Sequence, residues 1–191
     1  RVCMRRMATA LTLCAGFALP QAAAACAQLS AQVWMCDRGT PWEEATWDTV
    51  GDGSTRYLGE VILNFTQEWP GYDIADGTST LEEQYETYSA WIAADGGPAP
   101  DVLKVDRIDT PMGTTLRHLQ YDEIEGDRTM SAVMLSDVGS ARIMLYLDTT
   151  DTMPLDEMDK MSFEVAMMLR DTCADEISCA APIPAAALDT E

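Results

Sequence analysis

Histidine is nearly missing from these 191 residues, and His118 alone would have to serve any Ser-His-Asp or Cys-His device. No G-x-S-x-G turn accompanies it. In "TTLRHLQY" it alternates with Leu116 and Gln120, as an ordinary strand residue would. Basic residues are scarce too, 12 against 32 acidic, for a formal charge of −20. Such a surface repels phosphate backbones and anionic lipid, which disfavours nucleic-acid and peripheral membrane binding and favours a basic partner. Long apolar runs are also lacking. The stretch Met7 to Leu19 holds 13 residues, short of the roughly 20 that a membrane-spanning helix needs.

Close cysteine pairs of the C-x-x-C kind are absent, so zinc and dithiol redox chemistry have no motif. A D-x-D-x-D-G calcium loop is missing as well, although Asp148 to Asp159 is dense in acids. Asp156 and Glu157 there suit the start of a helix, where acids complement the dipole. Methionines such as Met158, Met161, Met167 and Met168 could bind Cu(I), but Met158, Met161 and Met168 recur with Val165 at helical spacing, as core filler does. No catalytic residue, metal ligand or cofactor site is nominated.

What is present begins with an export signature. Arg1, Arg5 and Arg6 precede the apolar run, Pro20 breaks it, and Ala23 and Ala25 stand at −3 and −1 of a cut after Ala25. Residues 1–25 read as a signal peptide. Without those three arginines, 9 basic residues face 32 acidic ones, a formal charge of −23. Lipidation of Cys26 wants an aliphatic residue three positions upstream, and Ala23 is there instead. Cys26, Cys36, Cys173 and Cys179 then form an even set in an oxidising compartment, the periplasm, and read as structural disulfides. Proximity favours Cys26 with Cys36 and Cys173 with Cys179. The crossed pairings, which would tie the N-terminal segment to the end of the last helix, stay open.

Trp34, Trp42 and Trp47 crowd residues 26–55, a disulfide-bearing extension in which Thr40, Pro41 and Glu43 can open a short helical turn before an ordered loop. If exposed, Trp42 and Trp47 would make a contact patch; if buried, they would hold the extension onto the sheet. Residues 56–179 read as one domain. "RYLGEVILNFT" alternates as a strand. "STLEEQYETYSAWIAADGG" is a helix with Leu81, Tyr85, Tyr88 and Ile92 along one stripe, capped by Ser79 or Thr80. Strands follow over Val102 to Ile108, Thr114 to Tyr121, Arg128 to Ser136 and Ala141 to Asp148, joined by turns short enough for an antiparallel meander. A final helix covers the sheet, and residues 180–191 read as a disordered tail.

The expected class is α+β, an antiparallel sheet of about five strands with helices packed on it. In the order and spacing of these elements from Arg56 to Cys173, the chain resembles the PsbP-like and DcrB-like small domains. The resemblance implies an α/β/α sandwich and a role in binding or assembly outside catalysis; it carries over no site residue, since no motif aligns position by position. The expected function is an exported periplasmic, non-enzymatic binding or assembly protein with a protein partner. One alternative is an acidic inhibitor or immunity-type protein that neutralises a cationic enzyme. Another is a carboxylate-based hydrolase, for which sequence nominates no pair. Intact-mass measurement of the exported chain should show a start at Cys26, no diacyl mass, and no free thiol at Cys26 or Cys36.

Overall fold

The computed structural model describes residues 26–50, 53–69, 72–74, 78–94, 96, 98–124, 126–149 and 153–171. The signal segment, Cys173, Cys179 and the tail lie outside them, as does the second disulfide expected from sequence.

Strands β1 (Ala27–Ser30) and β2 (Val33–Met35) form a hairpin, followed by a 3₁₀ turn over Pro41–Glu44. Next come β3 (Thr46–Val50), β4 (Gly53–Leu58), β5 (Val61–Thr66), β6 (Glu68–Trp69) and β7 (Tyr72–Asp73). Helix α1 (Leu81–Ala94) leads into β8 (Asp101–Thr110), β9 (Gly113–Ile124), β10 (Asp127–Val138) and β11 (Ala141–Thr149). Helix α2 (Leu155–Met168) runs directly into β12 (Leu169–Arg170).

Seven strands make the main sheet, in the order β3-β4-β5-β11-β10-β9-β8, and every neighbouring pair is antiparallel. The α+β class holds, but the expected count of about five strands is too low. Residues 46–50 and 53–55 pair as antiparallel strands that add to the edge of β5 instead of forming an ordered loop. The stretch read as one strand from Arg56 to Thr66 is folded back at Gly59-Glu60, where Gly59 has a φ of 60°. That turn sends Tyr57 to the face of its partner Ile62, away from Val61, Leu63 and Phe65.

Alternation along β10 shows how the layers form. Met130, Ala132 and Met134 join one cluster with Leu63, Leu145, Leu147, Met158 and Val165, while Val133 and Leu135 join another with Leu81, Tyr85 and Tyr88. Helices α1 and α2 therefore cover opposite faces. The α2 face is shared, because β1, β2 and β12 make a three-stranded sheet that lays Leu29, Val33, Met35 and Trp42 into the same cluster as α2. Cys36 N–H donates to the Met168 carbonyl at 2.9 Å, which joins the N-terminal hairpin to the end of α2. Gly139 in the β10–β11 turn has a φ of 61°, and a Cβ there would fall 2.6 Å from Asp171 Oδ2, so only glycine fits.

Each covering element is also tied down by one buried arginine. Arg117 on β9 is 2% exposed and forks onto Asp106 of β8 at 2.9 and 2.6 Å. It reaches α2 through Asp159 Oδ1 at 2.6 Å, the Asp159 carbonyl at 2.7 Å and Ser162 Oγ at 2.9 Å. Arg142 on β11 pairs with Asp137 at 2.6 Å and donates at 2.8 Å to both the Ser79 carbonyl and Gln84 Oε1, at the start of α1. Arg56 on β4 pairs with Asp37 at 2.6 Å and donates to the Trp42 carbonyl at 2.8 Å in the N-terminal segment. Removing one member of such a buried set leaves the other charges unpaired. Arg117→Ala should cost about 3–5 kcal/mol. Lys104→Ala, although Lys104 contacts the same Asp106 and Asp159, should cost under about 1 kcal/mol because that ammonium is well exposed. Urea denaturation of the two variants measures the contrast.

Candidate functional site

The site follows from the register of the meander. The pairing of β9 with β10 sets Thr129 opposite Asp122 and Ser131 opposite Gln120, and β11 brings Tyr146 and Asp148 onto the same face. Six polar or aromatic side chains thus meet at one end of the sheet, under α1. Helix α1 starts there with a reciprocal cap: Glu83 N–H donates to Thr80 Oγ1 at 3.2 Å, and Thr80 N–H donates to Glu83 Oε2 at 2.8 Å. Its stripe of Tyr85, Tyr88 and Ile92 then faces the sheet, as the spacing predicts. Between this stripe, the sheet and residues 98–100 lies a groove of about 380 Å³, inside the size range of small-molecule sites. Tyr85, Tyr88, Tyr146, Gln120, Asp122 and Glu123 line it, together with Ile92, Pro98 and Pro100.

Its hydrogen bonds converge on one carboxylate. Ser131 Oγ donates to Asp122 Oδ2 at 2.6 Å, the Tyr146 hydroxyl donates to the same oxygen, and Gln120 Nε2 donates to Oδ1 at 2.8 Å. Gln120 is oriented in turn by the Tyr85 hydroxyl, which donates to its Oε1 at 3.3 Å. The ring of Tyr85 stacks on His118 with centroids 3.5 Å apart and meets Tyr88 at 5.9 Å. Burial raises the hydroxyl pKa of Tyr85, Tyr88 and Tyr146, and the Asp122 charge pushes each further up. All three remain protonated donors near neutral pH.

His118 is half-buried, and burial lowers its pKa against the opposing pull of the Asp106 and Glu82 charges. It is a neutral ring beneath Tyr85, with a buried Nδ1 that has no hydrogen-bond partner. Trp42 and Trp47 part company. Trp42 is 1% exposed and belongs to the core, which removes it from any contact patch, whereas Trp47 is 44% exposed, edge-on to Phe65 and 4.9 Å from the Arg56 guanidinium. Cys26 and Cys36 are joined in a disulfide, the proximal pairing. Met158, Val165 and Met168 are fully buried along α2. Among the described residues, no group of three or more His, Cys, Asp or Glu side chains is placed to hold a metal ion.

Sequence reasoning nominated none of Gln120, Asp122, Tyr146 and Asp148. Their signal was the polar alternation in "LQYDEI" and "LYLD", which acquires meaning only once the turn position fixes which strand residues stand side by side. No family model matches the chain, and no curated protein is similar to it in sequence.

Asp148 is half-buried near Asp122, and its pKa is raised, first by burial. The folded chain therefore holds that proton more tightly than the unfolded chain does. Its stabilising effect is complete below the ordinary carboxyl range and is lost as pH rises through the elevated value. Asp148→Asn, which resembles the protonated acid, should raise Tm at pH 7, and its advantage over the native chain should vanish near pH 3. Thermal melts across that range check the sign.

Proposed function

We propose that the chain is an exported, non-enzymatic binding protein of the periplasm whose acidic surface receives a basic partner. The observation that carries this reading is where the cations go. Of the nine basic residues in 26–191, Arg56, Lys104, Arg107, Arg117, Arg128 and Arg142 are all engaged with the chain's own carboxylates. Few positive charges remain to offset the acids outside, so the surface field is strongly negative and steers cations inward. Within this reading, an immunity-type role against a cationic enzyme is the form that such a field favours. The layout of helix, four-stranded meander and helix supports the resemblance to PsbP-like and DcrB-like domains, which carries the same non-catalytic expectation.

A carboxylate-based hydrolase finds less support. Asp122 and Glu123, the acids lining the groove, are neighbours on one strand and cannot face each other across a cleft. Asp122 already accepts three hydrogen bonds from its own chain, so most of its lone pairs are engaged within the fold. Immobilised protein should capture a basic partner from a periplasmic extract, with an association rate that falls roughly tenfold or more between 50 and 300 mM salt. Salt-insensitive affinity, or hydrolase activity with no partner captured, would sink the reading.

A further inference from the structure

Among the described residues, Asp122 and its neighbour Asp148 differ from the partly buried carboxylates that the cations hold. Asp37, Asp106, Asp137 and Asp159 each face an arginine, and Asp106 and Asp159 share Lys104 as well. The side-chain donors on Asp122 are two hydroxyls and an amide, all neutral. Asp148 lies close enough for the two charges to repel. Glu123 follows at the rim with its side chain alternating to the other face of β9, and among the described residues no lysine or arginine lines the groove. A carboxylate has about four acceptor positions, so three internal bonds leave one for a donor arriving from the groove.

The walls have the complementary chemistry. Tyr85, Tyr88 and Tyr146 bring three electron-rich rings to one groove that also holds an uncompensated carboxylate. Aromatic faces and a carboxylate together select a positively charged nitrogen that carries alkyl groups, because the rings stabilise the cation without demanding that it shed an apolar coat. A phosphate, a sugar acid or a free carboxylate would be repelled by Asp122. A neutral apolar ligand would leave the charge of Asp122 unanswered in a partly desolvated site. The hydrogen-bond chain from Tyr85 through Gln120 points its donors at Asp122, as do those of Ser131 and Tyr146. The anion is thus pre-organised, and a ligand need not order it on arrival.

We infer that the groove between α1 and strands β9 and β11 is a binding site for a small organic cation, an alkylated amine or quaternary ammonium compound. Asp122 supplies the charge, and Tyr85, Tyr88 and Tyr146 supply the ring faces. His118 acts through Tyr85 as a stacking support and does not touch the ligand. This site rests on the reading of the chain as a binding protein, but it is a different surface from the broad acidic field that would receive a basic protein.

The test titrates the whole folded chain with choline by calorimetry, in parallel with 3,3-dimethylbutan-1-ol, its uncharged carbon isostere. Choline should bind at a single saturable site, and the isostere should bind at least about tenfold more weakly. Two variants locate the site. Glu123→Gln, at the exposed neighbouring position whose side chain alternates to the other face of β9, is the control: it should fold normally and keep choline affinity within about twofold. Asp122→Asn keeps an oxygen for Tyr146 and Ser131 to donate to and should lose choline binding, with its circular dichroism confirming the fold. Equal binding of choline and the isostere overturns the inference, as does no binding by either. So does choline binding that Asp122→Asn retains in full. Capture of a basic protein with the salt dependence given above would survive any of these failures, so the groove and the wider binding reading fall separately.

Discussion

Three arginines that see almost no water hold this fold together, and each does so for a different layer. Arg117 ties α2 to β8 and β9, Arg142 ties the start of α1 to β10 and β11, and Arg56 ties the N-terminal segment to β4. A guanidinium suits this work because its five donors fan out in one plane, so it can grip a carboxylate with one edge and a neighbouring carbonyl or hydroxyl with the other. Apolar contact supplies the driving force for covering the sheet. It has little preference about where along the sheet a helix should lie, and the fixed fork of each arginine sets that position.

The arginines also explain how so acidic a chain keeps an ordered interior. Cations are few, and six of the nine in 26–191 are spent inside or against local acids, which leaves much of the outside to the carboxylates. The same choice makes the exceptions visible. Where a carboxylate is partly buried without a cation, as at Asp122, the fold has satisfied it with neutral donors and left its charge for something else to answer. Trp47 shows a related economy of placement: its ring stays at the surface, yet it lies over the Arg56 guanidinium and shields that buried charge from water.

Local pattern made most of the α1–β11 block legible. The stripe Leu81, Tyr85, Tyr88, Ile92 gives α1, the spacing of Met158, Met161, Val165 and Met168 gives α2, and alternation between turn residues gives the four meander strands to within a few positions. What stayed hidden depends on contacts distant in sequence. Strands β3 and β4 have the composition of a loop and become strands because β5 offers an open edge. The small sheet needs Leu169 to pair with Met35, a contact that no local pattern announces. Arg117 in "TTLRHLQY" reads as the polar side of a half-exposed strand, and only α2, arriving with Asp159 and Ser162, turns that side into interior.

The position of the groove follows from how α1 is fastened. Arg142 grips the Ser79 carbonyl and Gln84, while Gln84 Nε2 donates to the Ile74 carbonyl at 2.9 Å, and Leu81 is buried beside them. All of these anchors sit in the first turns. Further along, Trp91 is 39% exposed, and Ala93 and Ala94 are exposed as well. The helix is thus pinned at one end and rests at the other on tyrosines whose hydroxyls serve the Asp122 network instead of sealing a core. Close packing of the second half would need apolar residues at Gln120, Asp122 and Tyr146. With those three polar side chains in place, the sheet cannot draw the helix down, and a space remains that is walled by aromatic rings and floored by charge. The groove and the anion within it therefore have one structural cause, a polar end to a face that is otherwise apolar.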